Sequence, residues 1–299
     1  MENVSLDNLE LERKALKKKN TTKTLIGIFS LLIFIVIAFM TSILEFIFIG
    51  FVILVVMIII NTASSSKYKG KFKELIVRKI IEEELGSTAV YNPNGGISLS
   101  ELNSLKFTSM PDREHLSDHI SCSYNGVPYE ICDCHFEERH VTRDSKGNKQ
   151  VTYVTYFKGR AIKIDFQRDL NINMKLVNQG PQGFSSEGLT KFETEVIEFN
   201  KRFKCYVDST ENAFYILTPI FIQKLLELER MFKGGLVVIF KHNNLYILIN
   251  DSRDTLEVNI NKPVNGEQIE RIRGEVILPA SIINELRIDD DKFNVNIKI

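Results

Sequence analysis

Residues 25–60 read LIGIFSLLIFIVIAFMTSILEFIFIGFVILVVMIII. A single charge, Glu45, interrupts this apolar run, beside the polar pair Thr41-Ser42. As one helix the run would be about 54 Å long at a rise of 1.5 Å per residue. The hydrocarbon core of a bilayer is about 30 Å thick. Split near Thr41, the run gives two spans of roughly 17–18 residues, each just able to cross. It therefore predicts a transmembrane hairpin with Thr41, Ser42 and Glu45 at the far interface.

The flanks orient that hairpin. Arg13, Lys14, Lys17, Lys18, Lys19 and Lys23 precede the first span; Lys67, Lys69, Lys71, Lys73, Arg78 and Lys79 follow the second. Basic flanks mark the cytoplasmic side, and the turn carries none. The expectation is a multi-pass protein of the cell membrane with both termini cytoplasmic. The apolar run is too long for a cleaved signal peptide, and no small-x-small site ends it. In a reducing cytosol Cys122, Cys132, Cys134 and Cys205 are expected as free thiols.

The chain of 299 residues has 38 Lys plus Arg and 38 Asp plus Glu, a balance that gives no reason to expect a nucleic-acid partner. It lacks Trp and is rich in Lys, Asn and Ile, the bias of an AT-rich bacterial genome. The organisation read from the chain is a basic arm (1–23), the two-span hairpin (24–60), an amphipathic juxtamembrane helix with its linker (61–90), a β-meander unit (91–180) and an α+β unit (189–299). The fold class is α+β: antiparallel meander and hairpins with a few helices.

Several local signals support that reading. KYKGKFKELIVRKIIEEEL (67–85) places Tyr68, Phe72, Leu75, Ile76, Lys79 and Ile80 near one helical stripe. SLSELNSL (98–105) fits a short helix capped by Ser98 or Ser100. Asn125-Gly126 is the strongest short hairpin signal, between HISCSY (119–124) and VPYEICDCHFEER (127–139). DSKGN (144–148) turns into QVTYVTYFKGRAIKIDF (150–166), and NMKLV (173–177) adds a strand. GPQGFSSEG (180–188) reads as a loop between units. FETEVIEFNKRFKCYV (192–207) ends as a strand. AFYILTPIFIQKLLELERMF (213–232) holds a helix with Thr218 as N-cap and Pro219 at its first position. Its stripe is Phe221, Leu225, Leu228 and Phe232, and Gly234-Gly235 ends it. LVVIF (236–240) and LYILI (245–249) form a hairpin, TLEVNI (255–260) reads as a strand, and helical pieces 267–278 and 279–286 break at Pro279.

Three constellations resemble chemical sites. Cys132-x-Cys134-His135 has too short a spacing for a zinc knuckle and lies in an apparent strand, so both thiols share a face that His135 does not. Glu114-His115 with Asp118-His119 lacks the His-Glu-x-x-His order of zinc hydrolases and reads as a polar surface turn. Gly180, Gly183 and Gly188 lack the strand, helix and Lys-Ser/Thr ending of a phosphate loop. The reading calls for no metal and no cofactor.

One segment does resemble a known family. EFNKRFKCYVDSTENAFYILTPIFIQKLLEL (198–228) is similar to the signature of a bacterial membrane-anchored family, domain of unknown function 3137. The matching residues are Phe199, Phe203, Tyr206, Asp208, Ala213, Leu217, Thr218 and Pro219, and the Tyr124–Glu130 hairpin also resembles the family's first β unit. The resemblance implies a two-helix membrane hairpin joined to a β-rich cytoplasmic region, over most of residues 60–260. It brings no catalytic residues.

The function expected is a membrane-tethered cytoplasmic interaction or scaffold module, without enzymatic activity. Its partners would be the bilayer, with anionic headgroups on Lys67, Lys69, Lys71, Lys73, Arg78 and Lys79, or a protein at the inner face. The rival is a membrane-bound enzyme with an uncommon site around Glu130, Asp133, His135 and Glu137. Strand alternation opposes it, because Glu130 would face away from the other three.

Overall fold

Ser42, at φ +57°, turns the chain between two long helices, α1 (Glu2–Thr41) and α2 (Glu45–Phe72). The computed structural model describes residues 2–143, 147–168 and 170–293. They form two compact units, one built from the chain up to Ile80 with Leu256–Arg273, the other from Ile81–Thr255 with the chain from Gly274.

In the first unit α1 and α2 lie against each other through small residues. A Cβ on Gly50 would stand 3.0 Å from the Leu31 Cα and the Phe34 Cβ, and one on Gly27 would meet Leu54 at 3.0 Å. Such residues let helix backbones approach closely where lipid removes the hydrophobic drive. Both helices are long and apolar enough to cross a membrane, and their apolar side chains point outward: Phe39 is 89% exposed and Phe48 69%.

The helices do not stop where the apolar run stops. α1 includes the basic arm, and α2 continues through 61–66, then a π-helical turn (Lys73–Val77) leads into α3 (Arg78–Leu85). Thr62, Ser64 and Ser65 donate their hydroxyls back to the carbonyls of Ile58, Ile60 and Asn61, so a stretch that reads as a linker stays helical. The buried stripe beyond it is Tyr68, Phe72, Ile76 and Ile80, whereas Leu75 and Lys79 are exposed. TLEVNI is not a strand. Leu256 and Val258 are buried, and the Ile260 carbonyl accepts from Arg13 at 2.6 Å rather than from a strand.

The second unit is one antiparallel sheet. Its strands are β1 (Val90–Asn92), β2 (Arg113–Tyr124), β3 (Val127–Arg143), β4 (Lys149–Asp165), β5 (Ile172–Val177), β6 (Thr190–Phe192), β7 (Lys204–Val207), β8 (Gly235–His242) and β9 (Asn244–Asn250). Their order is β1-β2-β3-β4-β9-β8-β5-β7-β6. The β2–β3 turn is Asn125-Gly126 with φ +48° and +78°, as a type I′ turn requires. The strands before and after loop 180–188 share this sheet, because β4 pairs with β9 and β5 with β8. Residues 144–146 of the DSKGN turn lie outside the described residues.

The 114–119 segment, read as a surface turn, is the first half of β2. It pairs with β3 up to a bulge between Ser117 and Ile120, where Asp118 adopts φ +57° and accepts from the Tyr91 hydroxyl at 2.6 Å. Short helices fill the connections: α4 (Leu99–Ser104), α5 (Ile197–Arg202) and α6 (Thr210–Ile216). Helix α7 (Pro219–Met231) starts at Thr218, whose Oγ1 accepts from the Phe221 N–H at 3.3 Å. Helix α8 (Gly266–Glu285) runs through Pro279 unbroken. The proline forfeits one backbone bond, and buried Val276, Leu278, Ile282 and Ile283 on either side hold the helix together.

Both faces of the sheet are covered. On one, Cys132, Cys134, Phe136, Phe157, Val237 and Ile239 pack with Phe107. On the other, Arg160 is 1% exposed and held by Asp251 and Glu275.

Candidate functional site

The nominated basic residues fall on successive helical turns of α2 and its continuation, and the helix deals them to different sides. Lys69 and Lys73 both pair with Glu257, at 2.7 and 2.8 Å, and Lys73 is buried. Burial pushes the Glu257 carboxyl up, but the two ammonium groups outweigh it and hold the pKa below the usual range. Arg78 pairs with Glu74 one turn earlier, at 3.0 Å. Lys71 pairs with Glu12 of α1. Lys67 and Lys79 are exposed. Four of the six therefore close contacts inside this unit.

A different set gathers between the helices. Glu12, Ala15, Leu16 and Lys19 of α1 face Ser64, Lys67, Tyr68 and Lys71 of α2 around an open groove of about 650 Å³. The spacing on each helix is three or four residues, so each quartet forms one stripe. Lys19 and Lys67 are exposed, while Tyr68 is buried and donates its hydroxyl to the Leu9 carbonyl at 3.2 Å. Burial pushes the Tyr68 pKa up to about 12. The groove thus sets Ala15, Leu16 and Tyr68 beside two exposed cations, Lys19 and Lys67, and the Lys71–Glu12 pair. Lys19 lies six residues before Leu25 and Lys67 seven after Ile60. At 1.5 Å per residue both sit about 10 Å beyond the apolar run. The signal for Lys19 was present in the sequence, as the i+7 partner of Glu12.

Three further hydrogen bonds hold the helices together at this level. Asn61 donates to the Asn20 carbonyl at 3.1 Å and to Thr24 Oγ1 at 2.9 Å, and Asn20 donates to Ser65 Oγ at 3.1 Å. Below them, the irregular chain from 256 grips α1. Arg13 spans Glu10 and the Ile260 carbonyl, and Glu10 accepts from the Val264 N–H at 2.9 Å. The Arg13 hydrogen bond holds the Glu10 carboxyl down at about 2.

Of the residues of the rival enzymatic reading, His135 and Glu137 approach each other at 3.8 Å, while Glu130 and Asp133 keep contacts of their own. Glu130 accepts from His119 at 2.7 Å and lies 3.6 Å from Lys163, which also pairs with Glu101. Asp133 is on the opposite face, where the Thr255 N–H and hydroxyl both donate to it at 2.9 Å. Burial pushes its pKa up to about 7 against those two bonds, with Asp118 and Asp254 adding to the rise. His135 bonds Thr155 at 2.8 Å, and Glu137 is taken by Arg113. The Arg113 hydrogen bond keeps the Glu137 carboxyl low, and burial lowers His135. Cys132 and Cys134 lie side by side in the core, 3.8 Å apart, away from His135. Among the described residues no three His, Cys, Asp or Glu side chains gather as metal ligands would.

Comparison with known proteins adds one finding. Residues 155–288 match the family described as Protein of unknown function (DUF3137). The matched stretch contains the 198–228 segment and begins after the Tyr124–Glu130 hairpin. No curated protein matches the chain, and no solved structure does.

Proposed function

We propose that this chain, which carries a DUF3137 match over residues 155–288, is a non-enzymatic interaction module. Its hairpin crosses the membrane twice, with both termini in the cytoplasm, and holds an anionic lipid headgroup in the groove between α1 and α2. The observation that carries this reading is the groove itself. Lys19 and Lys67 lie beside Ala15 and Leu16, beyond an outward-facing apolar band. Basic pockets between spans on the cytoplasmic side suit acidic headgroups, at about 1 kcal/mol per cation near the surface. The basic flanks support the orientation. Glu130 and Asp133 lie on opposite faces with separate partners, and that separation from His135 and Glu137 supports a role without catalysis.

The test uses the full chain in neutral detergent micelles, titrated with short-chain phosphatidylglycerol and, separately, phosphatidylcholine. The expected result is saturable binding of the anionic lipid alone, weakened by salt within the Debye regime. The double substitution Lys19→Gln with Lys67→Gln should loosen it by roughly tenfold or more. Equal binding of both lipids, or no response to the double substitution, would refute the headgroup reading.

A further inference from the structure

Strands β3 and β4 outrun their neighbours. The pairing of β2 with β3 stops at Arg113↔Glu137, and that of β9 with β4 stops at Arg160↔Ile249. Asp112 caps the Arg139 N–H at 2.8 Å, and Asn250 reaches the carbonyl of Tyr156. Beyond these points the two strands continue as a ribbon of six facing pairs, from Glu138↔Val154 to Arg143↔Lys149. At 3.3 Å per residue it projects about 20 Å past the sheet. A two-stranded ribbon alone is marginal in water, and its edges present unpaired backbone groups.

The ribbon is also two-faced. Register puts Arg139 opposite Tyr153, Val141 opposite Val151 and Arg143 opposite Lys149, all on one face. Glu138, His140, Thr142, Gln150 and Thr152 take the other, along with Val154. The first face thus has an apolar centre, with Val141, Val151 and Tyr153 each at least 40% exposed, between cations at both ends. At its base Arg113 stacks over Tyr153 at 4.1 Å and takes Glu137, the acid that shares this face. A face of this composition repels a second copy of itself and complements a strand bearing carboxylates around an apolar residue.

We propose that the β3–β4 ribbon is a docking arm for an acidic, extended peptide segment of a partner protein. The segment adds a strand along the 149–154 edge, which no strand among the described residues pairs. Main-chain hydrogen bonds supply part of the affinity, as in other cases of strand addition. Its carboxylates lie on the face of Arg139, Arg143 and Lys149, and its apolar residue on that of Val151. The strand edge is what favours a peptide over a lipid surface, because lipid offers no matching row of donors and acceptors. The ribbon takes its partner whether or not the α1–α2 groove takes a headgroup.

The full chain in neutral micelles tests this with a fluorescein-labelled Glu-Thr-Val-Thr-Glu repeat, which sets Glu and Val on one strand face and Thr on the other. The peptide should bind saturably and slow amide exchange within 149–154, and its Lys-for-Glu counterpart should not. Reversing Arg139, Arg143 and Lys149 to Glu, all beyond the sheet, should weaken binding by roughly tenfold. A peptide N-methylated at alternate positions should lose a similar factor on the unaltered protein, since it removes strand hydrogen bonds without touching charge. Equal binding of the methylated peptide would overturn strand addition. So would an absence of binding, or slowed exchange in 149–154 on phosphatidylglycerol nanodiscs without any peptide, which would make lipid the occupant.

Discussion

The two units solve packing in opposite ways. In the sheet unit the large apolar residues are inside: Phe136, Phe157, Phe199 and Phe240 are fully buried. In the hairpin many large apolar residues are outside, and small or polar residues, Gly27, Gly50, Asn20, Asn61 and Ser65, let the helices close against Leu31, Phe34 and Leu54. The same residue types are sorted as two different solvents would sort them. Water drives Phe inward in one unit; in lipid that drive vanishes, and close backbone approach with hydrogen bonds takes over. Substitutions that treat the two units differently can break or sharpen this contrast.

The largest effect is expected in the sheet. A Cβ on Gly159 would lie 1.9 Å from the Ile249 carbonyl oxygen, so Gly159→Ala must push β4 away from β9. We expect a loss of about 3 kcal/mol or more in denaturant unfolding of the full chain in micelles. A wild-type midpoint would mean that the strands can part at no cost. In the hairpin, Gly50→Val collides with Leu31 and Phe34 and should cost about 1–3 kcal/mol, through overpacking. Steric trapping of the hairpin should register the loss while the sheet's near-ultraviolet dichroism stays unchanged.

The third effect depends on pH. The Asp133 carboxyl titrates near 7 when folded and near 3.9 when unfolded. The folded state therefore holds more protons between these values, and this group's contribution to stability falls as pH rises from about 4 to about 7, then levels off. Asn at 133 can still accept from Thr255 N–H and donate to its hydroxyl. Asp133→Asn should flatten that part of the stability–pH curve, and an unchanged slope would assign it elsewhere. A smaller loss, about 1 kcal/mol, is expected for Thr218→Ala at the α7 cap, read by chemical unfolding.

Local signals were legible in the sequence because local physics sets them. The polar break at Thr41–Glu45, the Asn125-Gly126 turn, the Ser98 cap and the Thr218-Pro219 helix start each lie within a few residues of what they specify. The long-range pairings were not legible. Nothing local says that β4 pairs with β9 some 80 residues later or that β5 joins β8, so loop 180–188 looked like a boundary. TLEVNI alternates like a strand, but side chains engage its backbone instead: Asp133 the Thr255 N–H, Arg271 the Glu257 carbonyl and Arg13 the Ile260 carbonyl. Nothing local to the basic segment says that Glu257, distant in sequence, claims Lys69 and Lys73.

The central claim is that the outward apolar band of the hairpin meets lipid and that the groove sits at the headgroups. Nitroxide scanning of positions 45–71 in phospholipid nanodiscs tests it most directly, with oxygen and a water-soluble nickel chelate as relaxants. The account predicts high oxygen accessibility at the outward positions between Phe48 and Ile60, then a crossover to the chelate from Ser64 onward, with Lys67 near the crossover. Low accessibility to both relaxants across 48–60 would mean that protein covers the band. High chelate accessibility there would mean that water does, and either result would contradict the account.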